Sequence, residues 1–387
     1  MQADLTARRA LLVEDGESRI ALTAARALHA AGWTVGVAAP TGSPAGVSRA
    51  VSRRHGVPLP GDGLDGFLDA VRAAVEVGRY GVVFGVGDAE LFALSLGRDR
   101  LGAVVPYPAH DVVVNTLDKS RLAAAAARAG MRTPRILLPD ELDALAGPFV
   151  VKPVVNGAAG SEGPSKIPAL RVPDAAAARA AARAVTQAGG TPVVQEVVEG
   201  PLSALVLLLA PDGEVLAASQ QRADRMQPPG AGVSARARTV AVDEALVERA
   251  AALLRGTGWW GLAELQFVGE HDPALIDVNG RFYGSLALAV RAGLNLPDLW
   301  GRVALGATVP AGSRARPGVR YQWLEGDLRR AMSQAEGGRT RDIVTTLLHA
   351  PRSAHSTLSL RDPVPALRQG SRLAVRGLRK AIRRGGR

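Results

Sequence analysis

The sequence contains no cysteine, which excludes a disulfide scaffold, a thiolate metal site, a redox CxxC pair and a cysteine nucleophile together. It has no long apolar run. Its most apolar stretch, 202–210, is far short of the roughly 20 residues a spanning helix needs. Near the start, Arg8 and Arg9 precede four apolar residues before Glu14 and Asp15 interrupt, so the core of a signal peptide is missing and a cytoplasmic location is expected. No repeat is evident, and 44 glycines and 25 prolines in 387 residues stay below the roughly 25–30% of low-complexity chains. Acidic residues are absent beyond Asp362, where eight basic ones follow; subtracting these eight from the net charge of +11 leaves +3 for the rest. The basicity therefore belongs to a tail, which argues against a nucleic-acid-binding body.

The chain is long enough for two or three lobes at 100 to 200 residues each, with 47% hydrophobic residues to fill their cores. In its first hundred residues, β-rich runs at 10–13, 34–38 and 81–86 alternate with amphipathic stretches at 18–31 and 67–77. That is the pattern of a parallel, helix-covered sheet. Asp88 is suited to cap the helix after the third run. The turn after the first strand, Glu14-Asp15-Gly16-Glu17-Ser18, offers one glycine instead of GxGxxG, and its carboxylates would repel a pyrophosphate, against a nicotinamide or flavin domain.

A second unit opens with Asp118-Lys119-Ser120 heading an alanine-rich helix to 128. Strands at 135–138 and 149–152, a loop of glycine and small residues at 154–163, a helix at 174–187 and a strand at 192–198 follow. Antiparallel alternation then fills 203–210, 215–221, 234–240, 260–268 and 274–279, with a helix at 243–255.

Three constellations carry chemistry. Lys152 ends a buried strand and leads into Asn156-Gly157-Ala158-Ala159-Gly160-Ser161-Glu162-Gly163, a loop able to present bare backbone N–H groups to a polyphosphate, although no GK[ST] closes it as in a P-loop. The plainer alternative is a surface lysine before a connector. The strand through Gln195-Glu196-Val197-Val198-Glu199-Gly200 ends at a hinge where free backbone groups could read an adenine edge, or is an ordinary strand and turn. Finally, alternation puts Glu264 with Gln266, and Asp277 with Asn279, on single strand faces, so four oxygen-bearing side chains converge across a hairpin as a hard cation requires. Arg281 follows at once, placed to stabilise charge during phosphoryl transfer.

Together these segments resemble the ATP-grasp superfamily from about residue 10 to about 335. Lys119 and Lys152 fall where that family keeps two phosphate-binding lysines, with Asn156, Gly157 and Ser161 in its phosphate loop. Glu196 and Val198 match its adenine-reading strand. Gln266, Asp277 and Asn279 match its metal ligands, and Arg281 the arginine after them. Ser48-Arg49, Gln221-Arg222, Pro228-Pro229-Gly230 and Arg281-Phe282-Tyr283-Gly284-Ser285 look like a subgroup of predicted carboxylate-amine ligases, within the division that includes the large chain of carbamoyl-phosphate synthetase. Four positions depart from the pattern: Gln266 for Glu or Asp, Asp277 for Glu, Gly280 for proline, and Leu202 for a ribose-binding Glu, a role that Glu199 could take over.

The resemblance implies an α/β and α+β fold: a Rossmann-like pre-ATP-grasp domain (1–115), a small lobe with the phosphate loop (116–195), a large lobe with the metal site (196–310) and a C-terminal extension with a basic tail (311–387). It implies ATP and Mg²⁺ (or Mn²⁺) as cofactors and a ligase that joins a small-molecule carboxylate to an amine through an acyl phosphate, with Lys152 and Arg281 catalytic. Arg222 and Asp327 are candidate substrate contacts. Two other readings stay open: a carbamoyl-phosphate synthetase-like or other acyl-phosphate-forming enzyme, and a non-catalytic ATP-binding protein. A homodimer is the default assembly. Residues 366–387, with apolar positions among the basic ones, are either a weak contact for an anionic membrane surface or acidic partner, or a solvated end.

Overall fold

A computed structural model describes residues 8–40, 42–155, 169–230, 232–333 and 338–370. The loop residues Asn156, Gly157 and Ser161 and most of the basic tail lie outside these. The first unit is a parallel sheet in the order β3-β2-β1-β4, built from β1 (Arg9–Val13), β2 (Thr34–Ala39), β3 (Arg53–Gly56) and β4 (Val82–Gly85), with α1 (Arg19–Ala30), α2 (Leu64–Gly78) and α3 (Asp88–Leu96) as its helices. Residues 10–13 of β1 are at most 1% exposed, the two-sided burial that a continuous apolar run demands. Ser18 caps α1 by accepting from the N–H groups of Ile20 and Ala21. The preceding turn is satisfied from within: the Glu14 carboxylate accepts from the N–H groups of Gly16 (2.9 Å) and Ser18 (3.0 Å) and from the Ser43 hydroxyl. Burial pushes the Glu14 carboxyl up, and these hydrogen bonds counter it. An anion-binding turn is thus filled by the chain's own anion. Asp88 departs from its expected place: Gly87 holds the cap position and Asp88 is the first helical residue, its side chain directed elsewhere.

Two helices, α4 (His110–Leu117) and α5 (Lys119–Arg128), lead out of this unit; α5 is the expected alanine-rich helix, and Asp118 caps it. A small antiparallel sheet follows in the order β6-β5-β7, from β5 (Phe149–Pro153), β6 (Leu170–Val172) and β7 (Pro192–Glu196), covered by α6 (Ala175–Gln187). It has a core of its own, centred on Phe149, Val151, Ala178 and Val185. The strand expected at 135–138 is reduced to one bridge, Ile136 to Gln195. Pro134 and Pro139 bracket it, and proline cannot donate to a ladder.

The third unit is one large sheet in the order β12-β11-β8-β9-β10-β14-β15, with β13 parallel on β9. In chain order it comprises β8 (Leu202–Leu209), β9 (Val215–Gln227), β10 (Val233–Val240), α7 (Glu244–Thr257), β11 (Gly261–Val268), β12 (Ala274–Asn279), α8 (Leu286–Arg291), α9 (Leu296–Ala304), β13 (Ser313–Arg314), β14 (Arg320–Gln322), α10 (Leu324–Ser333), α11 (Arg339–His349) and β15 (Ser353–His355). Its core is continuous with that of the first unit. Asp327, expected to touch substrate, is corrected here. It is fully buried, and its carboxylate accepts from Arg225 (3.0 Å), Arg236 (2.5 Å) and Gln322 (2.6 Å), tying α10 to the sheet. Asp362 does the same for the segment after β15, accepting from Arg26, Ser48 and the Arg49 N–H. No helix among the described residues is long and apolar enough to cross a membrane.

Candidate active site

The β11–β12 hairpin sets the site. Its register pairs Glu264 with Asn279 and Gln266 with Asp277, so all four side chains share one face, as alternation predicts. Glu264 is 4% exposed and forms the hub: one carboxylate oxygen accepts from the Gln266 amide (3.1 Å) and the Asn279 amide (3.0 Å). Burial pushes its carboxyl up to about 7, against the pull of Arg281 and the two amides. Tyr283, fully buried nearby, is raised by the same burial and by Glu264. Glu264 is a site residue that the family pattern does not name. Its signal in sequence was only its alternation with Gln266.

Both lysines reach this hairpin from other parts of the chain. Lys119, the first residue of α5, is 4% exposed and stands 3.4 Å from Asp277. Lys152, on β5 of the small sheet, is 7% exposed and donates to the Ile276 carbonyl at 2.8 Å. Desolvation pulls Lys152 down to about 8; Asp277 resists this and Lys119 adds to it. Two buried ammonium groups thus share one carboxylate, an uncompensated positive charge that a polyanion would neutralise.

Arg281 is held from the first unit. Its Nε and one terminal nitrogen donate to the two Asp88 oxygens (2.6 and 3.0 Å), the same nitrogen to Asn279 (3.2 Å), and the other to the Phe282 carbonyl (3.1 Å). Burial works against its charge, and Asp88 more than offsets this, raising it. Phe282 wedges between Phe84 and Trp300, at ring distances of 5.2 and 5.1 Å, which locks this loop to the parallel sheet. Gly280 has a packing reason: a Cβ there would stand 2.1 Å from the Trp259 ring.

The remaining expected residues divide. Val198 lies two residues beyond β7, and its backbone enters none of the hydrogen bonds among the described residues. The Glu196 carboxylate is occupied by the Arg135 N–H (3.1 Å), and Glu199 pairs with Arg171 (2.6 Å). Arg222 pairs across to Ser203 and Phe267, on the face opposite Gln266, and meets Glu270 at 2.9 Å. It is corrected as a contact at this site because strand alternation turns it away.

Among the described residues no group of three or more His, Asp or Glu is placed to hold a metal. The donors present are the Asp277 carboxylate and two amides whose NH₂ groups turn toward Glu264, leaving the Gln266 oxygen directed away from it. One carboxylate with amide oxygen fits Mg²⁺, which keeps waters and takes substrate phosphates as ligands. The buried Glu264 also makes a stability test. Its folded pKa lies above the unfolded value of 4.5, so between 4.5 and about 7 the folded chain binds more protons and stability falls as pH rises, with the full penalty present above 7. Glu264→Gln is therefore expected to raise Tm at pH 8, by about 2 kcal/mol of stability, and to change little at pH 4.5. Calorimetry showing the same shift at both pH values would refute this.

Residues 193–327 match a family model described as ATP-grasp in the biosynthetic pathway with Ter operon. No curated protein matches the chain. Among solved structures, an L-amino acid ligase from Bacillus licheniformis aligns at 19% identity and a TM-score of 0.61, over 78% of this chain and 75% of that one. A biotin carboxylase from Campylobacter jejuni, described as a beta-gamma-ATP complex, aligns at 15% and 0.63, over 82% and 75%. An N5-carboxyaminoimidazole ribonucleotide synthetase bound to ADP aligns at 14% and 0.62, over 84% of each chain. At these identities the likeness establishes the fold.

Proposed function

We propose that this chain, which belongs to the ATP-grasp superfamily, is an ATP-dependent carboxylate-amine ligase working at the Lys119–Lys152–Asp277 cluster. The observation that carries this reading is the pair of buried lysines converging on one carboxylate from two separate elements, a charge arrangement that a nucleotide polyphosphate completes. In the reaction, an oxygen of the substrate carboxylate attacks the γ-phosphorus of ATP. The bond to the bridging oxygen breaks, and ADP leaves. The amine then attacks the acyl carbon, phosphate departs, and the amine's proton passes to solvent. Lys119 and Lys152 hold the phosphates. Asp277 and Gln266 would hold Mg²⁺, with Asn279 joining them once its oxygen is released from Arg281, and the ion when bound supplies charge neutralisation and orientation. Arg281 keeps one N–H beyond its internal bonds, enough for a single contact to a transferred phosphoryl oxygen. The Val198 backbone is the reading's adenine contact.

On this reading the chain divides near residues 115, 195 and 310 into a leading α/β unit, two nucleotide-binding lobes and an extension. The L-amino acid ligase among its structural relatives favours an amino acid as the acid. The test is ADP release from Mg²⁺-ATP against pooled amino acids, hydroxy acids and small carboxylates, with mass spectrometry of the products. Turnover dependent on one acid pool and an amine is expected. Nucleotide binding without acid-dependent release from any pool would sink the ligase reading.

A further inference from the structure

The face of the large sheet that carries Gln266 continues away from the lysines. Register places Ala204 and Gln221 beside Gln266 on that face, and a cavity of about 50 Å³ lies over them, the room of roughly four waters. Glu264, Gln266, Gln221 and Ser285 give it polar walls, Leu202 closes one side, and Arg19 from α1 completes it. Gln221 and Ser285 satisfy each other, with the Ser285 hydroxyl 2.7 Å from the Gln221 amide nitrogen. Arg19 is different. Its guanidinium stacks on the Trp323 ring at 4.1 Å, and its buried Nε has no hydrogen-bond partner among the described residues. The nearby Glu325 carboxylate accepts from Gln369 at 2.9 Å and interacts with Arg19 through charge.

Stacking fixes the plane of a guanidinium and leaves its N–H fork pointing outward at the edge, where a planar carboxylate fits it in two parallel hydrogen bonds. A buried donor without an acceptor is unfavourable, so it marks either strain or a missing ligand. Gly284 bears on the choice. A Cβ there would stand 2.7 Å from a terminal nitrogen of Arg19, so glycine leaves this guanidinium its present place and a larger residue would push it aside.

We propose that Arg19 binds the carboxylate of the acid substrate, in the cavity bounded by Gln266, Gln221 and Gly284, with Leu202 against the acid's apolar part. The inference rests on the ligase reading and specifies its acid site. Arg19 comes from the leading parallel-sheet unit, so that unit, which already holds Arg281 through Asp88, supplies substrate recognition as well.

The experiment uses the full chain and reads binding, so that it does not depend on turnover. Ligand-observed NMR of pooled amino acids, hydroxy acids and small carboxylates is run on protein saturated with Mg²⁺-ADP, and the acids that bind are titrated calorimetrically. Arg19→Gln is expected to weaken the bound acid roughly 10- to 100-fold, with ADP affinity and Tm unchanged. Gly284→Ala, which keeps the charge and displaces it, is expected to do likewise. Methyl esters of the same acids and inorganic phosphate are expected not to bind at this site. Failure of the wild-type chain to bind ADP would overturn the ligase reading itself. With ADP bound, any of three results overturns this proposal: no acid binding to wild type, equal acid binding to Arg19→Gln, or esters or phosphate showing the same dependence on Arg19.

Discussion

Lys152→Met is expected to reduce ADP release by roughly 100- to 1,000-fold and, in the same protein, to raise Tm at neutral pH. The two effects have one cause. An ammonium buried to 7% exposure is held near a second ammonium, with Asp277 between them as shared counter-charge. Its pKa falls from the unfolded 10.5 to about 8. Below about 8 it is charged in both states and the folded chain bears the full desolvation penalty. Between 8 and 10.5 the unfolded chain binds more protons, so the penalty is relieved as pH rises. Methionine fills similar volume without charge, so its stabilisation, about 1–2 kcal/mol after the lost hydrogen bond to Ile276 is counted, should be largest at pH 7 and fade toward pH 10.5. ATP binding restores the counter-charge, so the wild-type chain should also take up protons from solution when it binds ATP near pH 8. Melting curves at pH 7 and 9.5, together with an ADP-release assay, decide it. Wild-type turnover, or a lower Tm at both pH values, would show that Lys152 is a structural lysine.

Asp88→Asn is expected to destabilise the chain by about 3 kcal/mol or more, the scale of breaking a buried ion pair from one side. Arg281 and Asp88 are each about 15% exposed and joined through two hydrogen bonds, so the single substitution strands a guanidinium among Phe282, Asn279 and Glu264. The double variant Asp88→Asn/Arg281→Met removes both charges and should recover most of the loss. Denaturant unfolding of the two single variants and the double variant gives the coupling energy. Additive effects would mean that the pair is not coupled and that the Phe84–Phe282–Trp300 contacts alone position this loop. The pair also joins the leading unit to the site, because Asp88 begins α3 and Arg281 follows β12.

Local signals were strong along this chain. Asp118 and Asp174 cap the helices they precede, and period-two alternation put Glu264, Gln266, Asp277 and Asn279 on their shared faces. The same alternation, carried one strand further, would have turned Arg222 away from Gln266; that needed the β8–β9 register, which depends on partners distant in sequence. Asp327 misled for a related reason. A carboxylate in a polar helical stretch reads as exposed until the fold brings Arg225, Arg236 and Gln322 around it.

By itself, then, the sequence determined most of the strands and helices as far as residue 279, marked the two lysines and the hairpin residues as candidates, and showed a leading turn unsuited to pyrophosphate. These follow from periodicity, capping and local charge, which act over a few residues. Only the tertiary structure decided which partners each charged group meets: Arg281 with Asp88 across 193 residues, Lys152 with Ile276 across 124, and Arg19 stacked on Trp323 with its buried Nε unpartnered among the described residues. Burial sets the behaviour of these groups, and burial is a property of the packed chain, absent from any short segment of it.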